Sequence, residues 1–269
     1  MELLYKNRNP EDKKFIELVC NSILVQNILL QPYSDDFAFI FIEGRNREIN
    51  CMEDWAALKS TKVFSSKNYP IFCFVNNPKN FLNGRENLIN NWRINLIKID
   101  SLNSLNEYSE FCIKKLYFML PDNIENVVTI SPDSMLIKNG WEDKVKNYDY
   151  IGAPWLHAPS IEIYDKNEWR QFTNPIRVGN GGGSFRKASF CRYASMSFSD
   201  LKLRERGTES KYPTEDLYFS SIIKYLVGKI PSPEEAQRIV IDPMDYEDFI
   251  NKSSYMFHYF SYKNPWKIN

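Results

Sequence analysis

Two acids, Glu215 and Asp216, stand side by side behind Pro213 and Thr214 and ahead of an apolar run, LYFSSIIKYLV. A carboxylate there can take the proton of an attacking hydroxyl, the work of a general base. The position also suits an acid for a plainer reason. Thr214 can cap the helix, and the helix dipole favours negative charge in the first turn. Upstream lies VGNGGGSF, where Gly181, Gly182 and Gly183 are three of the chain's ten glycines. Glycine loses the most conformational freedom on folding, so a run of it marks a backbone that must turn or be closely approached. Asn180 to Gly183 reads as a tight turn or bulge, or as the floor under a bulky polar ligand such as a sugar. No Lys-Ser/Thr follows it as in a Walker A loop, and no GxGxxG follows the first strand.

Asp133 stands in Ser131-Pro132-Asp133-Ser134, just after an apolar run. A carboxylate there can reach a divalent cation that bridges phosphates. Ser-Pro-Asp-Ser is equally good turn chemistry. The two histidines are His157, in a Pro-flanked loop, and His258, within SYMFHYFSY. Imidazole beside an Asp-bound cation is sensible ligand chemistry, and a histidine among aromatics also packs or caps. Trp155 closes YDYIGAPW, where its ring can stack on a ligand or fill a core. There is no Ser-His-Asp pattern and no recognisably reactive Cys or Lys.

These residues need elements to hold them. Residues 12–31 carry apolar positions at helical spacing. Phe37–Ile42 and Tyr69–Val75 read as buried strands, Asn95–Ile99 as a shorter third and Asn126–Ile130 as a fourth. Met52–Leu58 and Trp141–Lys146 read as short helices. Ser104–Leu120 reads as a longer one, stopped by Pro121. Strand, polar loop, helix, strand is the order of a parallel α/β sheet, which binds ligands beyond the carboxyl ends of its strands. The exits at Glu43–Asn46, Asn76–Asn77 and Ser131–Ser134 fall on that edge. The second half has shorter strands, beginning with Tyr150–Ile151, and no low-complexity linker or repeat separates it.

The chain has 269 residues, no net formal charge and 15% aromatic residues. Zero net charge excludes a global basic field of the kind that drives non-specific nucleic-acid binding. So many rings fit a core and also stacking on bases and sugars. Cys20, Cys51, Cys73, Cys112 and Cys191 are scattered and odd in number, which fits a reducing compartment. The N-terminus lacks an apolar signal region and no run is long enough to span a membrane, so a cytoplasmic location is expected.

Taken in order, YDYIGAPW (Tyr148–Trp155), GNGGGS (Gly179–Ser184) with Arg186, and the Glu215–Asp216 pair resemble a family of GT-A-like glycosyltransferases known as DUF5672. Asp133 falls where that family carries a Gln-x-Asp-like motif after a strand, and His258 matches its late histidine. The likeness runs over roughly residues 36 to 260. The glycine run followed by an acidic pair is also similar to fringe-like and β-galactosyltransferase enzymes.

The resemblance implies an α/β, GT-A-like fold: a mostly parallel, nucleotide-binding central sheet flanked by helices, with a contiguous acceptor-side lobe. It implies one domain over residues 1–269, about 1–135 for the nucleotide and about 136–269 for sugar and acceptor. The activity implied is transfer of a sugar from a nucleotide-sugar donor, UDP being the expected carrier, to an acceptor hydroxyl. Asp216 is then the general base of an inverting displacement, with Glu215 as its ligand-orienting partner. Glu43, Arg45 and Asn76 would receive the donor base and ribose. Asp133 and Ser134 would face the diphosphate, and Trp155, Asn180, Gly181 and Gly182 the sugar. Asp133 and His258 would hold a divalent cation, Mn²⁺ or Mg²⁺. The acceptor stays open between a glycan, a small molecule and a modified DNA base. For the last, KLRER (Lys202–Arg206) offers a phosphate contact, although with Glu205 inside it reads as a solvated loop. A retaining transferase and a non-catalytic nucleotide-sugar or carbohydrate-binding protein are the alternatives. The chain departs from the family at Ser131, where the motif has an Asp or Gln, which thins the ligand set. It departs again at Gly183, where the consensus GNGGFS has a Phe, so a ring is missing beside the sugar.

Overall fold

A computed structural model describes residues 31–45, 52–82, 86–132, 134–155, 161–165, 167–171, 177–199, 202–205, 213–241 and 254–258. The helix expected over 12–31, Asp133, His157 and Arg206 lie outside the described residues. In chain order the elements are β1 (Phe37–Glu43), α1 (Met52–Val63), β2 (Ile71–Val75), α2 (Pro78–Leu82), α3 (Leu88–Asn91), β3 (Ile94–Lys98), α4 (Leu105–Lys114), β4 (Asn126–Ile130), β5 (Ser134–Leu136), α5 (Glu142–Val145) and β6 (Tyr150–Pro154). Then follow β7 (Ile161–Asp165), β8 (Glu168–Gln171), β9 (Val178–Lys187), α6 (Ala188–Met196), β10 (Lys202–Glu205), α7 (Glu215–Tyr225), α8 (Pro233–Gln237), β11 (Val240–Ile241) and β12 (Met256–His258).

The central sheet has the order β3-β2-β1-β4-β9-β6. The first four strands are parallel neighbours, and β9 runs against both β4 and β6. This is the mostly parallel α/β sheet expected, with helices between its strands. The parallel registers align Glu43 with Val75 and Val75 with Lys98, so the exits of β1, β2 and β3 share one edge. Thr129 pairs with Ser184, which brings the glycine run that precedes Ser184 to the same edge beside the end of β4. Because β6 is antiparallel to β9, its exit at Trp155 arrives there too.

Period-two alternation sorts the core. Phe37, Phe39 and Phe41 of β1 enter one buried cluster with Trp55, Leu58 and Trp141; Ala38 and Ile40 enter another with Phe111, Tyr117, Tyr218 and Phe219. Most of the large rings are spent in this way. Trp141 is fully buried, packs edge-on to Phe37 at 4.9 Å, and donates its indole N–H to the Phe64 carbonyl at 2.8 Å. Among the described residues the large rings are thus mostly core.

Two expectations change. The helix read as far as Leu120 stops at Lys114, and Leu116–Phe118 tightens into a 3₁₀ turn. Past the end of the helix the Arg192 guanidinium takes the carbonyls of Tyr117 and Pro121, and Pro121 brings no N–H that could continue a helical ladder. Lys202–Glu205, read as a loop, is instead β10, paired antiparallel to β7 with Leu203 buried on the core face.

Candidate active site at the carboxyl edge of the sheet

The glycine run is a bulge. Gly152 of β6 pairs with Ser184 and the next residue, Ala153, pairs with Asn180, so Gly181, Gly182 and Gly183 have no counterparts on β6. Three hydroxyls from β4 and its exit hold the extra residues in place. Thr129 Oγ1 donates to the Gly181 carbonyl at 2.9 Å and accepts the Ser184 N–H at 3.1 Å. Ser131 Oγ and Ser134 Oγ reach the Gly182 carbonyl at 2.8 and 3.0 Å.

Gly181 is glycine because of what lies over it. A Cβ built there would sit 2.6 Å from Asp216 Cβ, 2.6 Å from Glu215 Oε1 and 2.9 Å from Arg186 Nη2. The missing side chain therefore admits the protein's own acidic pair. At Gly179 the space of a Cβ is taken by the ring of Trp155 and by Ser220 Oγ. The tryptophan is thus half-buried against the strand, with its backbone N–H bound to the Arg177 carbonyl at 2.7 Å.

Arg186 is buried at the centre of this packing and is satisfied on every side. It meets Glu215 Oε1 at 2.9 Å, Ser184 Oγ at 2.8 Å, Tyr117 Oη at 3.2 Å and the Gly181 carbonyl at 3.3 Å. The faces of Tyr150 and Phe219 lie 5.2 and 5.6 Å from its guanidinium carbon. Burial raises the Glu215 carboxyl above its ordinary value and the neighbouring Asp216 charge adds to this, while Arg186 opposes both. Such a pair is fixed in place, because removing one partner strands a buried charge.

Asp216 is placed differently. It is half-buried, at the first turn of α7, with Oδ1 accepting the Leu217 N–H at 2.7 Å and Oδ2 accepting the Gly181 N–H at 3.3 Å. Thr214 stands at the cap position but makes no side-chain cap bond. The carboxylates of Glu215 and Asp216 take the first free N–H groups of the helix instead. One acid is thus locked inside, and the other is held at the surface by the bulge.

The family of proteins of unknown function DUF5672 matches residues 91–254. That stretch contains β4, β6, β9 and the start of α7. The chain belongs to DUF5672. No curated protein gives a significant match. Among solved structures, the apo-form glycosyltransferase GlyE of Streptococcus pneumoniae TIGR4 aligns with 86% of this chain at 11% identity and a TM-score of 0.44. The chain spans 56% of that protein's length. 4-Diphosphocytidyl-2C-methyl-D-erythritol synthase from Anaerococcus prevotii DSM 20548 aligns with 78% of this chain and 96% of its own, at 9% identity and a TM-score of 0.39.

The structure gives the other expected site residues of this DUF5672 chain their protein partners, beginning with Glu215. It is buried, with one oxygen on Arg186 and the other on the Asp216 N–H. Ser134 is fully buried and its hydroxyl holds Gly182 and the Ser131 N–H, so it supports the bulge. Glu43 is buried too, with its oxygens on the Arg45 N–H at 3.0 Å and on the guanidinium at 2.8 Å. Its effect is to aim Arg45, whose side chain stays 56% exposed and can meet an anion. The Asn76 amide donates to the Ile99 carbonyl at 3.3 Å. Asn180 is half-buried beside the bulge.

A groove opens at this edge beside the end of β3. Lys98–Leu102, the exit of β3, and Glu107, Glu110, Phe111, Lys115 and Met119 line this groove of about 520 Å³. The Leu102 N–H bonds the Gly44 carbonyl at 2.8 Å, which joins the groove to the loop that carries Arg45. The polar exit Lys98-Ile99-Asp100-Ser101 is the signal that could have revealed it.

For a cation, β12 pairs with β5 so that His258 stands opposite Ser134, the neighbour of Asp133. Asp133 and the His258 side chain lie outside the described residues. Among the described residues no group of three or more His, Cys, Asp or Glu side chains could hold a metal. The two serines of the motif turn their hydroxyls to Gly182. Mg²⁺ commonly keeps several waters and takes one or two carboxylates plus substrate phosphates, so a sparse protein set suits it. Among the described residues no helix is long and apolar enough to cross a membrane.

Proposed function

We propose that the chain transfers a sugar from a nucleotide-sugar donor to an acceptor hydroxyl, with Asp216 as general base. The observation that carries this reading is the pairing of the two acids. Glu215 and Arg186 fill the space under Gly181, and this leaves Asp216 at the surface of the same edge, fixed through the Gly181 N–H. An acceptor hydroxyl above the bulge would give its proton to Asp216 as its oxygen attacks the anomeric carbon, and the bond from that carbon to the diphosphate oxygen would break, releasing the nucleoside diphosphate. With one placed base and no placed nucleophile, this is a single displacement with inversion.

The groove at Lys98–Leu102 would take the nucleoside, and Arg45 would meet the diphosphate. A guanidinium held by a buried carboxylate is pre-aimed for phosphate oxygens. Asp133 and His258 would hold the cation, which neutralises diphosphate charge when bound. Trp155, Asn180 and Gly182 would border the sugar.

The test joins binding to turnover. A thermal-shift panel of nucleotide sugars, with and without Mn²⁺, should raise the melting temperature for the true donor. Asp216→Asn should keep that shift and lose transfer. A folded Asp216→Asn protein with full transfer would refute the base. Tight binding with no transfer or hydrolysis by the wild type would make the chain a binding protein.

A further inference from the structure

A second groove lies away from this edge. Lys138, Lys144, Tyr148, Glu235, Arg238, Ile239 and Tyr255 enclose about 400 Å³. Tyr148 precedes β6, whose Tyr150 pairs with Arg186 towards the amino end of the parallel strands, so the groove is remote from Asp216. We propose that it binds a compact phosphate ester.

Three cations reach it from three elements: the turn after β5, α5 and the end of α8. Three positive charges around one groove favour an anion there, and the acids nearby are engaged elsewhere. Glu142 accepts the Ser66 N–H at 2.7 Å, Asp143 pairs with Lys146 at 2.7 Å, and Glu235 accepts the Ser232 N–H at the cap of α8. Among the described residues no carboxylate lies within ion-pair distance of Lys138, Lys144 or Arg238. The lining carries two positive charges in excess, which matches a phosphate dianion.

The walls are preformed. The Ile137 N–H bonds the Tyr255 carbonyl at 2.9 Å, and the Tyr255 N–H bonds that of Ile239 at 3.0 Å. Lys138 Nζ is steadied 5.1 Å over the Tyr255 ring. Arginine and lysine around a concave apolar floor grip a tetrahedral anion, and the tyrosines cover the carbon body of an ester. At about 400 Å³ the groove suits a small occupant.

The experiment is calorimetric titration of the full chain with glycerol 3-phosphate, with glycerol as the neutral control. Saturable binding at about millimolar Kd or tighter is expected, and Lys138→Glu with Arg238→Glu should weaken it at least about tenfold. Both positions are exposed, and circular dichroism checks the fold of the double variant. Asp216→Asn should bind as the wild type does, which keeps this site separate from the proposed catalysis. Absence of binding, or equal binding by the double variant, overturns the proposal. So does binding of DNA duplex or phosphatidylserine vesicles through Lys138 and Arg238 without binding of glycerol 3-phosphate.

Discussion

Replacing Gly181 by alanine should unseat the candidate base. The added Cβ would lie 2.6 Å from Asp216 Cβ, whereas carbon atoms pack best at about 3.5–4.0 Å. The shortfall is about 1 Å, and a Cβ cannot rotate away from it. Either the first turn of α7 or the bulge must shift. The same methyl presses on Glu215 Oε1 and Arg186 Nη2, so the shift strains a buried ion pair. Overpacking costs about 1–3 kcal/mol, and a buried pair forced apart costs about 3–5 kcal/mol. Partial relaxation of both gives an expected loss of roughly 3 kcal/mol. Urea unfolding read by tryptophan fluorescence measures it. If the reading of function holds, a displacement of this size also lowers turnover by about a hundredfold. A Gly181→Ala protein within about 0.5 kcal/mol of wild type, the usual range for a neutral surface change, would refute the packing argument.

Val227 has φ 63 at the end of α7, where Gly228 N–H closes on the Ile223 carbonyl at 2.7 Å. A β-branched residue is strained in that left-handed cap, so Val227→Gly should stabilise by about 1 kcal/mol in the same urea assay. Thr129→Val leaves the Ser184 N–H and the Gly181 carbonyl short of a partner, and should cost about 1–3 kcal/mol. Stability should also depend on Glu215. Its carboxyl is raised, first by burial, so its contribution is complete below the ordinary value of 4.5 and fades as pH climbs through the raised one. Glu215→Gln, neutral throughout, should remove that decline; an unchanged pH profile of the unfolding midpoint would count against burial as the cause.

β1 and β2 were legible because burial on both faces writes continuous apolar runs, as in FAFIFIE and IFCFV. The bulge was legible as an alternative to a turn, since only a strained or crowded backbone needs GGG. The roles of Glu215, Ser134 and Glu43 were not. A carboxylate or hydroxyl bound to the protein looks in sequence like one that binds a ligand; for Glu215 the difference is a long-range contact to Arg186, and for Ser134 one to Gly182. The Arg192 grip past the end of α4 is of the same kind, a contact between residues far apart in the chain. α8 is the opposite case. Its capping box, Ser232 to Glu235 with Pro233 between, is a local signal that went unread.

The strand order has a consequence for how the chain folds. β6 is made before β9, yet in the central sheet it hydrogen-bonds to β9 alone. β4 likewise waits for β9 on its outer side. Until that strand arrives, two apolar edges stand open, and such edges invite pairing with other chains. Closing them depends on a strand whose own bulge must first be seated by Thr129, Ser131 and Ser134. The step that assembles the candidate site is therefore also the one that protects the nascent protein from aggregation. Substitutions in the glycine run should slow refolding and lower soluble yield, even where the final fold tolerates them.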